Sequence, residues 1–214
     1  VSFANEIKEI SRNDLRDSII NDADLEFNHA WSPKTSAFFK YHLTHIYVDA
    51  PDNAFIQTLA PGFRRYLTPQ LLFKTYAGAN IIHTFTEHTL IRPTFYAALT
   101  DELDKRSALT VAFKKDHSPT GYSADLFDQW RFSLQYERQL SERLKGYIDS
   151  FYGQGNFIIS DISEKLTGFN LGLKYSLSDN WDTDLSFRHI NKDSDTPSRE
   201  YKKNAVFFGF IFKF

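Results

Sequence analysis

Apolar residues recur along this chain with a period of two, which predicts strands with one greasy and one polar face. At the C-terminus, Val206, Phe208, Phe210, Phe212 and Phe214 alternate with Ala205, Phe207, Gly209, Ile211 and Lys213. Trp181, Thr183, Leu185 and Phe187 alternate with Asp182, Asp184, Ser186 and Arg188. Phe169, Leu171, Leu173, Tyr175 and Leu177 alternate with Gly168, Asn170, Gly172, Lys174 and Ser176. Trp130, Phe132, Leu134 and Tyr136 repeat the pattern, as do Ala23, Leu25, Phe27 and Trp31, with His29 interrupting the apolar series. A first strand over Val1 to Ile10 alternates least well.

The punctuation between these runs is regular. Short turn signals stand at Ser32-Pro33-Lys34-Thr35, Thr68-Pro69-Gln70, Asp104-Lys105-Arg106-Ser107, Ser141-Glu142-Arg143 and Ser178-Asp179-Asn180. Their centres lie about 36 residues apart, which makes the chain a repeat. Longer polar stretches fall between them: Arg12 to Asp17, Asp49 to Ala54, Thr84 to Leu90, Asp116 to Leu126, Gly153 to Ser163 and Asn191 to Glu200. Each period is therefore a strand, a long loop, a strand and a short turn. Six such hairpins predict about twelve antiparallel strands of roughly 10 residues, the length of a tilted membrane strand. All short turns then fall at one end with both termini, and all long loops at the other. No linker interrupts residues 1–214, which are expected to form one domain.

Composition decides which face meets water. Aromatics make up 16 % of the 214 residues, with 21 Phe and 11 Tyr, yet the chain carries 24 % charged residues. The polar face is charged on nearly every strand, and twelve strands enclose an interior too wide for a dry core. Trp31, Tyr66, Tyr136, Tyr175 and Trp181 sit beside the short turns, as an interfacial girdle requires. The expectation is an all-β fold: a closed antiparallel transmembrane β-barrel with short periplasmic turns and longer extracellular loops, in contact with outer-membrane lipid. The longest apolar run, Ala205 to Phe212, is far short of the roughly 20 residues of a membrane helix. Val1 to Asn5 lack a signal peptide's basic start and apolar core, and the missing methionine fits a processed or trimmed chain. A formal net charge of −2 leaves no basic footprint for nucleic acid. The absence of cysteine excludes disulfides and thiolate metal sites.

The chain's ending resembles two known patterns. Gly209, Phe212 and Phe214 match the C-terminal β-signal of bacterial outer-membrane proteins, with Phe207 where a polar residue is usual. That resemblance implies recognition by the barrel-assembly machinery. The runs Leu171-Gly172-Leu173-Lys174-Tyr175-Ser176-Leu177, Asn180-Trp181, Ser186-Phe187-Arg188, Asp193-Ser194 and Tyr201-Lys202-Lys203-Asn204-Ala205-Val206 resemble the ending of the "putative β-barrel porin" group. Members of that group are often associated with exopolysaccharide secretion. The resemblance covers about the last 45 residues of the chain, the span over which those strand signals recur.

Charge in a membrane strand is tolerated facing the lumen, so Glu26, Lys40, Lys74, Arg92, Arg131, Asp149, Lys174, Asp182, Asp184 and Arg188 are the expected pore-lining residues. They either cross-link strands and plug the barrel or line a hydrated path for an acidic solute, with Asp22, Asp24, Asp182 and Asp184 offsetting the positive wall. His189-Ile190-Asn191 lacks the serine and glycine of the phospholipase barrels, and His189 falls on the apolar series as an interfacial ring. His42 and His45 are three apart, on opposite faces of a strand. His83 and His88 flank a loop containing Glu87, and Asp193, Asp195 and Glu200 lie on the last loop; both sets read as polar loops rather than metal sites. Pro61 and Pro93 are expected to mark bulges. The reading is a porin-like, non-enzymatic barrel without cofactor, passing a hydrophilic solute and linked to polysaccharide export. Its rival is a non-conducting anchor for a larger envelope assembly. A lipid-modifying enzyme stands third. An acidic saccharide or an envelope protein is the expected partner.

Overall fold

A computed structural model describes residues 2–8, 18–48, 53–83, 89–119, 126–158 and 160–212. The period-two segments become twelve strands: β1 (Ser2–Lys8), β2 (Ser18–Ser32), β3 (Thr35–Val48), β4 (Asn53–Tyr66), β5 (Leu71–His83) and β6 (Thr89–Asp104), followed by β7 (Ser107–Pro119), β8 (Leu126–Gln139), β9 (Leu144–Phe157), β10 (Ser163–Ser176), β11 (Trp181–Ser194) and β12 (Tyr201–Phe212). Each pairs antiparallel with the next in one sheet, in sequence order. A single 3₁₀ turn, Pro197–Arg199, sits in the last long connection. Among the described residues no α-helix occurs.

The short turns fall where the turn residues stand, at 33–34, 67–70, 105–106, 140–143 and 177–180. At Asp104 the carboxylate accepts the Arg106 backbone N–H at 2.6 Å. That bond holds the acid below the usual carboxylate range. Long connections lie at the other end, and several of them are shorter than the polar stretches suggest. β7 runs on to Pro119, β9 to Phe157 and β11 to Ser194, inside segments expected to be loops. β2 to β12 are accordingly 12–16 residues long. The cause is that backbone ladder bonds form whatever the side chains. The apolar alternation marks only the stretch with a greasy face, and polar residues such as Gln154, Lys165 and Asp193 continue the ladder past it.

Neither proline makes a bulge. The register shifts lie at Ala30/Ser32 and Asp101/Asp104, beside short turns. Pro61 instead coincides with a gap in the β4–β5 ladder, and Pro93 lies before the point where β6–β7 pairing starts, at Phe95. A proline has no N–H to give, so each sits where a ladder bond is missing.

The register sorts side chains onto two faces. On one lie large exposed apolar groups, among them Phe27, Phe132, Leu171, Leu185, Phe208 and Phe210. On the other lie most of the charges of the mid-strand positions, with the most buried side chains, Ile82, Asn80 and Asp182. Of the expected girdle, Trp31, Tyr136, Tyr175 and Trp181 share the apolar face, whereas Tyr66 pairs with Leu72 two positions beyond the Arg64–Lys74 pair and falls on the charged one. His45 stacks on Phe55, ring centroids 4.3 Å apart, on the face opposite His42.

Candidate functional site

The ladder partners Glu26↔Lys40, Arg64↔Lys74, Lys114↔Arg131, Gln135↔Asp149, Asn170↔Arg188, Lys174↔Asp184 and Ser176↔Asp182 fix one charged face across the sheet. Asn80↔Arg92 adds the β6 position. All ten sequence-selected residues lie on it, and the structure joins some of them directly.

On β2 to β5 the acids form a column. Glu26 accepts from Arg64 Nη2 at 2.5 Å and lies 3.7 Å from Lys74 Nζ. Lys40 reaches Asp24 at 3.3 Å. His42 stands between Asp24, 2.9 Å from Nδ1, and Asp22, 3.4 Å from Nε2, while Thr44 donates to Asp22 at 2.6 Å. The ring of Phe38 lies under this column, with Arg64 at 5.2 Å and Lys74 at 5.0 Å from its centroid. A cation over a ring face is held by the ring's quadrupole.

On β7 to β12 the pairs are separate. Lys114 bonds Asp116, Lys145 meets Glu137 at 2.7 Å, and Lys174 meets the buried Asp182 at 3.0 Å. Tyr147 donates to Asp184 at 3.0 Å. Arg131 and Arg188 stand over rings instead, Phe151 at 4.6 Å and Phe207 at 5.1 Å. At the long-loop end, Glu164 is buried between Lys192 at 2.7 Å and Arg199 at 3.9 Å. An apolar group there, Ile56, Ile82 and Leu126 with Leu90 and Ile158, sits beside the buried Asn80.

Arg64, His42, Lys114, Asp116, Lys192 and Glu164 were not among the selected residues. Arg64 is followed by Arg65, so adjacent charges hide the alternation; Lys114 and Glu164 stand beside second charges, Asp116 and Lys192 fall in segments expected to be loops, and His42 stands out in the sequence only by its spacing from His45. His189 stacks on Phe169 at 5.5 Å and shares a 2.7 Å bond with Asn204, on the apolar face. His83 bonds Thr89 at 3.0 Å, while Glu87 and His88 lie outside the described residues. Asp193 accepts from Asn191, and Asp195 accepts the Ser163 backbone N–H at 3.1 Å. In the β-signal, Gly209 is in register with Asp184 and Phe212 packs on Trp181 at 4.8 Å; Phe214 lies outside the described residues.

No curated protein matches the chain in sequence. Among solved structures, the outer membrane channel DcaP of Acinetobacter baumannii aligns over 99% of this chain and 68% of its own, at 10% identity and a TM-score of 0.58. The CymD monoaromatic hydrocarbon channel aligns over 99% of this chain and 77% of its own, at 10% identity and a TM-score of 0.54. The NanC porin covers 91% of this chain and 94% of its own, at 12% identity and a TM-score of 0.48. At these identities the first two establish likeness of fold: an all-β, antiparallel, outer-membrane-channel-like architecture. In sequence, residues 116–214, a little under half of the chain, match the family described as "Putative beta-barrel porin 2", the group its ending resembles.

Proposed function

We propose that the sheet closes by pairing β1 with β12 into a twelve-stranded barrel in the bacterial outer membrane, and that its charged face lines a path for a hydrophilic solute. An even strand number leaves β1 and β12 antiparallel, so one more ladder of the same kind closes the sheet. In lipid an open edge would leave two rows of backbone groups unsatisfied. The observation that carries the reading is the sorting of charge: the pairs made by Glu26, Lys40, Lys114, Lys145, Lys174 and Lys192 lie on the face opposite the exposed Phe and Leu rows, while Lys115–Asp128, 3.6 Å apart near the long-loop end, stands on the apolar side. With apolar side chains toward lipid, short turns are periplasmic and long loops extracellular.

The chemistry of the charged face favours a solute rich in hydroxyl and carboxylate groups, since Arg131 and Arg188 keep donors free above ring faces while acids stand nearby. An acidic saccharide in an export pathway fits that description, and neither cofactor nor enzymatic step is invoked. Assembly by the barrel machinery is expected to use Gly209, Phe212 and Phe214. Single-channel recording of the chain in a planar bilayer tests this reading. Steady openings, blocked by an acidic oligosaccharide and relieved in Arg131→Gln, are expected; a silent bilayer containing inserted protein refutes the path.

A second reading has its own observation. An apolar group of Ile56, Ile82 and Leu126 gathers at the long-loop end, with Ile56 and Ile82 on the charged face. If it seals the lumen, the barrel anchors an envelope assembly, and the same recording gives inserted but silent protein together with a co-purifying partner.

A further inference from the structure

The apolar face is not uniformly convex. Outward side chains of β8 to β12 enclose a groove of about 530 Å³, within the size range of ligand pockets. It starts at Arg138 and Leu140 beside the short turn after β8, passes over Gly146 on β9 between Ile148 and Leu173, and reaches Val206 on β12. The groove depends on Gly146, which stands in the outward row between Leu144 and Ile148 without a side chain. A Cβ there would come within 3.3 Å of Leu140 Cδ1 and 3.7 Å of Leu173 Cδ2, both flexible ends that can yield. Leu140, Ile148 and Leu173 are about half exposed, so the walls are greasy and uncovered.

Its mouth carries one cation, Arg138. Arg138 is exposed beside Tyr136, with Asp104 as the nearby acid. The Gln139 N–H bonds the Arg106 carbonyl at 2.7 Å, and the Ser176 N–H bonds that of Arg143 at 2.9 Å, which brings both turn arginines to the same end. A chain-shaped apolar recess opening onto an arginine complements a lipid. A second protein copy would instead need about 800 Å² of matched surface per partner.

We propose that this groove seats one acyl chain of an anionic phospholipid from the leaflet at the short-turn end, with its phosphate on Arg138. The inference rests on the membrane reading above. Burial of the chain supplies sequence-independent affinity, and the arginine supplies selection for negative headgroups.

Native mass spectrometry of the full chain released from detergent, with phosphatidylglycerol or phosphatidylcholine of identical acyl chains, tests the site. One retained phosphatidylglycerol is expected, at about fivefold lower concentration than phosphatidylcholine. Arg138→Gln abolishes that preference, and Gly146→Leu removes both adducts. Leu173→Phe fills the groove from the facing wall should Gly146→Leu not fold. Equal retention of the two lipids, or adducts indifferent to both groove fillings, overturns the proposal. A dimer lost on filling the groove also overturns it and assigns the groove to a second copy. Flotation with vesicles is measured in parallel: a chain that does not float refutes the membrane reading, whereas a floating chain without a selective adduct refutes the site alone.

Discussion

Three rings on the charged face lie against glycines of the next strand: Phe38 on Gly62, Phe151 on Gly168 and Tyr147 on Gly172. A Cβ at Gly62 would stand 2.5 Å from Phe38 Cζ, one at Gly168 2.7 Å from Phe151 Cε1, and one at Gly172 would overlap Tyr147. Each glycine thus lets a ring lie flat on the wall, where it covers backbone and fixes the pairing register, as aromatic rescue does elsewhere in sheets. The rings then position charge. Arg64 and Lys74 sit over Phe38, Arg131 over Phe151, and the Tyr147 hydroxyl holds Asp184. The choice of glycine on one strand therefore sets where a charge stands on another. Gly172→Val is expected to push Tyr147 off the wall and lower stability by about 2–3 kcal/mol, through overpacking and the lost bond to Asp184. Tyr147→Phe isolates the hydrogen bond at about 1.5 kcal/mol, and Gly146→Ala, on the open outer face, changes stability by less than ~0.5 kcal/mol. Urea unfolding of the micelle-embedded protein measures all three; equal midpoints for Gly172→Val and the parent would show that the glycine does not hold the ring.

At the scale of the element, much of the sheet was legible because one face of most strands carries a nearly continuous apolar row. β10 from Phe169 to Tyr175 and β12 from Val206 to Phe212 show that row without a break, β11 interrupts it only at Thr183 between Trp181 and Phe187, and the five short turns carry their own residue chemistry. What escaped has a common cause. Beyond the apolar stretch, no row has to be greasy, so period two fades while the ladder continues; Asn191 to Ser194 looked like loop and is strand. Pairing partners two strands away, such as Glu26 and Arg64, depend on curvature that no local pattern encodes. The last connection shows the same limit. Its 3₁₀ turn is tied back by Arg199, which reaches the buried Glu164 on β10 and lies 4.6 Å from the ring centre of Phe157 on β9. Nothing in the polar string from Asp195 to Glu200 announces that latch. Arg199→Ala is expected to free the turn while leaving the strands paired. Limited proteolysis should then cut within residues 195–200 at least tenfold faster, the effect of about 1.4 kcal/mol on local opening, with an unchanged urea midpoint. Unchanged cleavage would mean that the turn is held by other contacts.

At the scale of the molecule, the proposed closure would determine how the charges face one another. In a twelve-membered ring, β2 and β11 flank the β1–β12 seam, while β6 and β7 lie across from it. The acid column Asp22, Asp24, Glu26 and the pair Asp182, Asp184 then line the seam side, and Arg92, Lys114 and Arg131 stand on or next to the opposite wall. Arg188 and Lys192 would share the seam side with those acids, and Asp116 would stand beside Lys114 on the far wall, so closure would set both signs of charge around one space. The seam can be tested directly because the chain has no cysteine. Ala4 of β1 is in register with Asp22, and Ala205, Phe207 and Gly209 occupy the equivalent row of β12. Ala4→Cys, combined in turn with cysteine at each of those three positions, samples the register of the missing ladder. A disulfide needs Cα atoms about 4.4–6.8 Å apart, so under mild oxidation one combination should cross-link and the others should not. The product would appear as a mobility change on an unreduced gel that reductant reverses. Cross-linking at none of the three, in protein shown to insert, would place β1 and β12 out of reach of each other and remove the closed barrel from the account.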